Sequence, residues 1–253
     1  MSLAIGDLPS EFASKMAGML SNIVTTAYDK IGRAQLKAIY AQINAPISPM
    51  TANLRQALGW WLKYLLMAPE KVWLPSSLST PRPTIWVWTD AAGKSKKVAA
   101  VMYSESALLP GWSYTETCLP SAMWDSLICR RDNQIQYQEF VAIPLALESF
   151  GLSRALIFVF VDNNSVLSAC VKGSGTNREV NIGVGNLWLS LKELDVAPFF
   201  VRVETHSNIA DGPSRDELMY LARRGARRVT PRFPDWAKKI WAFETKKQQQ
   251  PTC

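Results

Sequence analysis

Arg154-Ala-Leu-Ile-Phe-Val-Phe-Val-Asp162 decides how the rest of this 253-residue chain is read. Seven apolar residues in succession, without alternation, match a strand covered on both faces, so layers are expected on either side of a sheet. The run then stops on an acid. Ile85-Trp-Val-Trp-Thr-Asp90 ends the same way. A carboxylate at the carboxyl edge of a buried strand must be paired or must hold a cation, because leaving water uncompensated costs several kcal/mol or more.

Working outward, Lys97–Ser104 and Gly111–Cys118 read as two further strands. The turn Ala91-Ala92-Gly93-Lys94 joins the first pair into a hairpin. Residues 134–150 read as a helix carrying Glu139 between Ile135, Phe140 and Ile143, with Pro144 expected to kink it. Beyond Asp162, residues 164–172 and 181–194 read as helices around Gly173-Ser-Gly-Thr176, 197–204 as a fifth strand, and Asp211–Arg224 as containing a last helix. The order β-β-β-α-β-α-α-β-α describes an antiparallel meander followed by parallel additions to a mixed five-stranded sheet.

Before the sheet the pattern is helical. Phe12, Met16, Met19, Leu20 and Ile23 suggest one apolar stripe; Leu36, Ile39 and Tyr40 a second; Leu54, Leu58, Trp61, Leu62 and Leu65 a third. Trp60-Trp61 suits a core or domain interface better than a platform for bases. Leu74–Pro83 is rich in proline and hydroxyl residues and has linker composition. The expected organisation is a helical segment over 1–75, a linker over 76–83, an α/β domain over 84–222 and a basic tail over 223–253.

Charge is unevenly spread. Residues 1–80 hold 7 basic and 4 acidic side chains, 81–218 hold 12 and 15, and 219–253 hold 9 and 2. An acidic centre able to recruit divalent cations, beside a basic tail able to meet phosphates, suits nucleic-acid processing; a merely solvated tail is the plainer alternative. No apolar run approaches the roughly 20 residues of a membrane span, so no membrane association is expected. Cys118, Cys129, Cys170 and Cys253 lack C-x-x-C spacing and His206 is the sole histidine, which argues against a zinc site and fits a reduced, intracellular chain, nuclear or cytoplasmic.

Thr89-Asp90-Ala91, Gln138-Glu139 with Ala142, Val161-Asp162-Asn163 and Asn208-Ile-Ala-Asp211-Gly-Pro-Ser-Arg215 occur in order on a strand, a helix, a strand end and a loop. Together they resemble the ribonuclease H domain of retroelement reverse transcriptases, especially the DIRS-like and pararetrovirus-like groups, over about residues 84–220. Ala17-Gly18-Met19-Leu20-Ser21, Gly32-Arg33-Ala34 and Leu58-Gly59-Trp60-Trp61-Leu62 resemble the thumb and connection helices that precede that domain. The sequence contains no Asp-Asp pair, the palm motif of such polymerases.

The resemblance implies a ribonuclease H-like α/β fold and an endonuclease that cuts the RNA strand of an RNA/DNA hybrid with two Mg²⁺ or Mn²⁺ ions. A reverse-transcriptase polymerase domain is a further implied partner. It implies that Asp90 bridges both ions with Asp162, that Glu139 serves the ion nearer the leaving group and Asp211 the ion that activates water, and that His206 assists proton transfer. Hard oxygen ligands suit these cations. Asn163 and Asn208 are candidates to orient ligands or touch sugar hydroxyls, and Lys94, Lys96, Lys97 and Arg215 to contact phosphates. His206 as a surface residue, the lysines as a soluble turn, and a non-catalytic module of the same fold that binds nucleic acid or protein remain open alternatives.

Overall fold

A computed structural model of the chain describes residues 7–26, 30–44, 50–67, 82–93, 95–107, 110–120 and 135–238. Most of the expected linker, Lys94, Cys129, Cys253 and the tail beyond Lys238 lie outside them. The described residues divide into two compact units, one from Met1–Thr80 with Lys172–Leu189, the other from Pro81–Val171 with Ser190–Cys253.

The first unit contains α1 (Ser10–Thr26), α2 (Arg33–Ile43) and α3 (Ala52–Met67), with α2 packed on both neighbours. Ala13, Ala17, Leu20 and Val24 form the buried stripe of α1. Phe12 and Met19, expected inside, are 60% and 63% exposed. Helix α1 carries two competing stripes, and the one with two alanines wins because small side chains let the backbones approach. On α3, Leu54, Leu58 and Trp61 are buried as expected, whereas Leu62 and Leu65 face out, as does Tyr40 on α2. Gly32 precedes α2 at φ 84, and a β-carbon there would lie 2.3 Å from the Trp61 ring, so this position requires glycine on both grounds.

In the second unit β1 (Thr84–Ala92), β2 (Lys97–Ser104) and β3 (Gly111–Cys118) form the antiparallel meander. β4 (Leu156–Val161) lies parallel to β1, and β5 (Ala197–Arg202) parallel to β4. This is the mixed α/β sheet expected, an antiparallel meander with parallel additions, with one correction: among the described residues the sheet has six strands, in the order β5-β4-β1-β2-β3-β6. The sixth, β6 (Arg227–Arg228), pairs parallel to Ser113 and Tyr114. Two arginines offer no alternation, so only the pairing defines it.

Helix α4 (Ile135–Ser149) packs across β1 and β2 and continues through Pro144 as one element; everything from Tyr137 to Leu147 is buried. α5 (Asn164–Lys172) has the bounds expected, and α6 (Arg178–Glu193) begins three residues early because the Asn177 side chain accepts the Val180 N–H at 3.1 Å. The expected last helix is two: α7 (Asp211–Ser214) and α8 (Met219–Arg223). Asp216, in the left-handed region at φ 68, separates them.

Alternation along β1 sends Ile85, Val87 and Thr89 to one face of the sheet and Trp86, Trp88 and Asp90 to the other. Register aligns Phe199, Phe158, Trp86, Tyr103 and Trp112 across five strands. Ring contacts join Phe158 to Phe199 at 5.4 Å on one side, and Trp86 to Tyr103 at 5.8 Å and Tyr103 to Trp112 at 4.8 Å on the other, and Trp88 stacks on Phe160 at 4.9 Å. Above Trp88, residues of the 209–226 segment close the face: Val101, Ala210 and Leu221 form a buried cluster with Trp88, Trp112 and Tyr114.

Candidate metal centre

Asp90 is the sixth residue from Ile85, on the same face as Trp88 but beyond the last aromatic row, where β1 approaches its end. Asp162 follows β4, the parallel neighbour of β1, and so emerges beside it. Glu139 lies in the second turn of α4, which crosses the same two strands. Parallel pairing and helix packing thus bring three residues distant in sequence to one point. Asp90, Glu139 and Asp162 each present a carboxylate oxygen within 4.8 Å of the others. Asp90 and Glu139 are 3% and 8% exposed.

Asp211, at the start of α7, is not part of that trio, and its Oδ1 lies 2.6 Å from Arg215 Nη2. Its charge still reaches the trio. Burial, opposed by the Ser214 hydrogen bond and reinforced by Asp162 and Asp211, pushes Asp90 up to about 6. Burial, followed by the charges of Asp90 and Asp162, pushes Glu139 up to about 9, against a backbone hydrogen bond from Ala91. Three acids held this closely repel: a pair ~4 Å apart at an effective dielectric near 20 costs about 4 kcal/mol if both are ionised. Protons relieve that repulsion in part, and a divalent cation would relieve it further.

The residues fit such a cation. Glu139 Oε2 and Asp162 Oδ1 are buried and accept no hydrogen bond from any described residue, an arrangement that costs stability unless something else binds there. The donors are all carboxylate oxygens, the chemistry of a hard divalent cation rather than of zinc or copper.

Ser214, not among the residues expected at the site, completes the arrangement. It is fully buried and its Oγ donates to Asp90 Oδ2 at 2.5 Å. The signal was present in the quoted Asn-x-Ala-Asp-x-x-Ser-Arg stretch, one helical turn beyond Asp211. Ser95 Oγ donates to the Ser214 carbonyl at 3.0 Å, and Lys97 forms an ion pair with Asp216, so the β1–β2 turn clasps α7 from two sides.

The other candidates take definite places. Asn208 is buried, its amide donates to the Thr89 carbonyl at 3.0 Å, and its Oδ1 accepts the Ala210 N–H, so it ties the loop before Asp211 to the residue before Asp90. Asn163 caps α5, accepting the N–H groups of Ser165 and Val166. Arg215 and Lys97 are engaged with acids, as given above. Lys96 is exposed, at φ 55 in the turn before β2, and Lys94 lies outside the described residues. His206 is exposed in a single 3₁₀ turn, Thr205–Ser207, and lines an open cleft together with Asp211, Glu217, Tyr220 and Arg223.

No helix among the described residues is long and apolar enough to cross a membrane. No family model matches the chain, and no curated protein sequence matches it. Solved structures do. Ribonuclease H1 from the halophilic archaeon Halobacterium salinarum NRC-1 is 16% identical, with 55% of this chain and 98% of that one covered at a TM-score of 0.35. LC11-RNase H1, isolated from compost by a metagenomic approach, is 13% identical, with 56% and 98% covered at 0.35. The N-terminal RNase H domain of Rv2228c from Mycobacterium tuberculosis, solved as a fusion with maltose binding protein, is 12% identical, with 57% and 99% covered at 0.34.

Proposed function

We propose that this chain is a metal-dependent endonuclease that hydrolyses the RNA strand of RNA/DNA hybrids. One observation carries the reading: three carboxylates from β1, α4 and the end of β4 converge within 4.8 Å, with buried oxygens on Glu139 and Asp162 that no described residue satisfies. A structural ion cluster would be expected to include a cation from the protein. Among the described residues, Arg215 pairs with Asp211 instead, and Arg202 donates to the Asp162 carbonyl and not to its carboxylate.

In this reading Asp90, Glu139, Asp162 and Asp211 would hold two Mg²⁺ or Mn²⁺ ions. Bound there, such ions clamp a scissile phosphate and activate water for in-line attack. The remaining work belongs to the protein. Ser214 fixes the carboxylate plane of Asp90, Asn208 sets the distance between the Asp211 loop and β1, and the aromatic floor around Trp88 keeps that face of the strands rigid. In this reading His206, exposed on the cleft that also contains Asp211, would carry a proton to or from the reacting phosphate. Arg215 neutralises Asp211 until ions and substrate arrive.

The resemblance of residues 208–215 to the last motif of retroelement ribonucleases H supports a reverse-transcriptase origin, and with it a polymerase domain as a partner. The experiment is incubation with an RNA/DNA duplex labelled on the RNA strand, with Mg²⁺, with Mn²⁺ and with EDTA. Cleavage of the RNA strand that needs the metal is expected. Failure to cut with either ion at high protein concentration overturns the proposal.

A further inference from the structure

We propose that the helical unit carries a site for a nucleic-acid phosphodiester group: a cleft formed by Arg33 and Lys37 of α2, Lys172, and the hydroxyls of Ser21, Tyr40 and Ser174. It deepens the nuclease reading, on which it rests for the choice of nucleic acid as ligand.

Several observations meet there. Arg33, Lys37 and Tyr40 stand at i, i+4 and i+7, hence on one face of α2. Two like charges one turn apart destabilise a helix, and neither α2 nor α3 contains an acid to offset them. Arg33 and Lys172 form no ion pair with any described residue, and none of the residues lining the cleft is acidic. Its floor is apolar, made by the buried Val24 and Leu36, so a charge entering it is less screened than one on open surface.

The polar walls are pre-arranged. Ser21 and Tyr40 share a hydrogen bond of 2.7 Å, which leaves a hydroxyl proton to offer. Lys37 Nζ donates to the Gly175 carbonyl at 2.5 Å, which fixes the ammonium with two protons remaining. The loop that brings Lys172 and Ser174 to α2 can do so only because of Gly173. At φ +72 it lies against Lys30, where a β-carbon would come within 2.4 Å of the Lys30 side chain. Lys37 also lines a neighbouring cleft with Arg178, Asn53 and Asn177, so successive phosphates along one strand could be met by adjacent polar walls.

The test uses the full chain in EDTA, so that binding is measured without cleavage. A fluorescent RNA/DNA hybrid is titrated at several salt concentrations from about 50 to 200 mM, where each phosphate contact contributes roughly one to the slope of log affinity against log salt. Arg33→Gln, Lys37→Gln and Lys172→Gln should each lower that slope by about one, a difference of about 3.5-fold in affinity loss over this range. Lys37→Arg should restore it. Lys15→Gln, on α1 and paired with Glu11, should leave it unchanged.

Slopes unchanged in the three cleft variants, an equal drop in Lys15→Gln, or no hybrid binding by the parent each overturn the proposal. Replacing chloride by inorganic phosphate at equal ionic strength separates a backbone site from a free-anion site. Complete loss of parent binding in phosphate, with unchanged slopes in the variants, assigns the cleft to the free anion and also overturns it. Failure of the nuclease reading looks different: normal slopes and variant effects in EDTA, with no RNA cut by the parent once Mg²⁺ or Mn²⁺ replaces the EDTA.

Discussion

Replacing Glu139 by glutamine should make the metal-free protein more stable at neutral and alkaline pH. The carboxyl group, 8% exposed and beside Asp90 and Asp162, has its pKa raised from an ordinary 4.5 to about 9. The folded form therefore holds a proton across that window while the unfolded form does not. Stability is greatest below about 4.5 and declines as pH rises through the window, levelling above about 9. At 1.36 kcal/mol per unit, the decline between pH 5 and pH 8 has a ceiling near 4 kcal/mol. Glutamine stays neutral and its amide can donate to the neighbouring carboxylates. The variant should then melt roughly 5 to 15 °C above the parent at pH 8 in EDTA, given about 2 to 4 °C per kcal/mol for a chain of this size. Near pH 5 the two should melt alike. Divalent ions should raise the melting temperature of the parent at pH 8 and do little for the variant. Thermal denaturation by circular dichroism with and without Mg²⁺ is the assay. A parent profile flat between pH 5 and pH 8, or one that the substitution leaves intact, refutes the electrostatic account.

Three further outcomes are expected. Asp162→Asn should reduce hybrid cleavage by more than the roughly 10- to 100-fold that follows loss of a group that only orients a ligand, with an unchanged circular dichroism spectrum; cleavage at the parental rate would remove this residue from the site. Ser214→Ala should weaken Mg²⁺ binding, read by calorimetry, by about 10- to 100-fold, and equal affinities would show that the hydrogen bond to Asp90 does not orient it. Gly32→Ala should destabilise the chain by roughly 1 to 4 kcal/mol in denaturant titration, since it adds backbone strain to a clash with Trp61, whereas unaltered stability would mean that the Trp61 ring yields freely.

The sheet was legible where a single pattern acted alone. β2 and β3 have the bounds expected because alternation and flanking turns agree, and the end of β4 is marked by the acid itself. β6 was invisible because its strand character comes from Ser113 and Tyr114 and not from its own two arginines. The break between α7 and α8 depends on Asp216 adopting a left-handed backbone, a choice made by tertiary contacts around Lys97. On α1 the large apolar residues pointed to the wrong face, since Ala13 and Ala17 gain from close approach what Phe12 and Met19 would gain from area. At the site the convergence of Asp90, Glu139 and Asp162 followed from their positions on strand ends and helix. The separate pairing of Asp211 with Arg215 and the hydroxyl of Ser214 on Asp90 did not, because both depend on how α7 is held.

The ladder of rings across the sheet has a consequence for how errors in folding are removed. Trp86, Trp88 and Asp90 share one side of β1, so a slip of one residue would turn two indoles toward the helix layer and carry the acid away from its partners. A chain caught in that arrangement would lose aromatic stacking together with the acidic cluster, and would be unstable enough to reopen. Correct assembly of the acids is in this way guarded by tryptophans that lie outside the acidic trio.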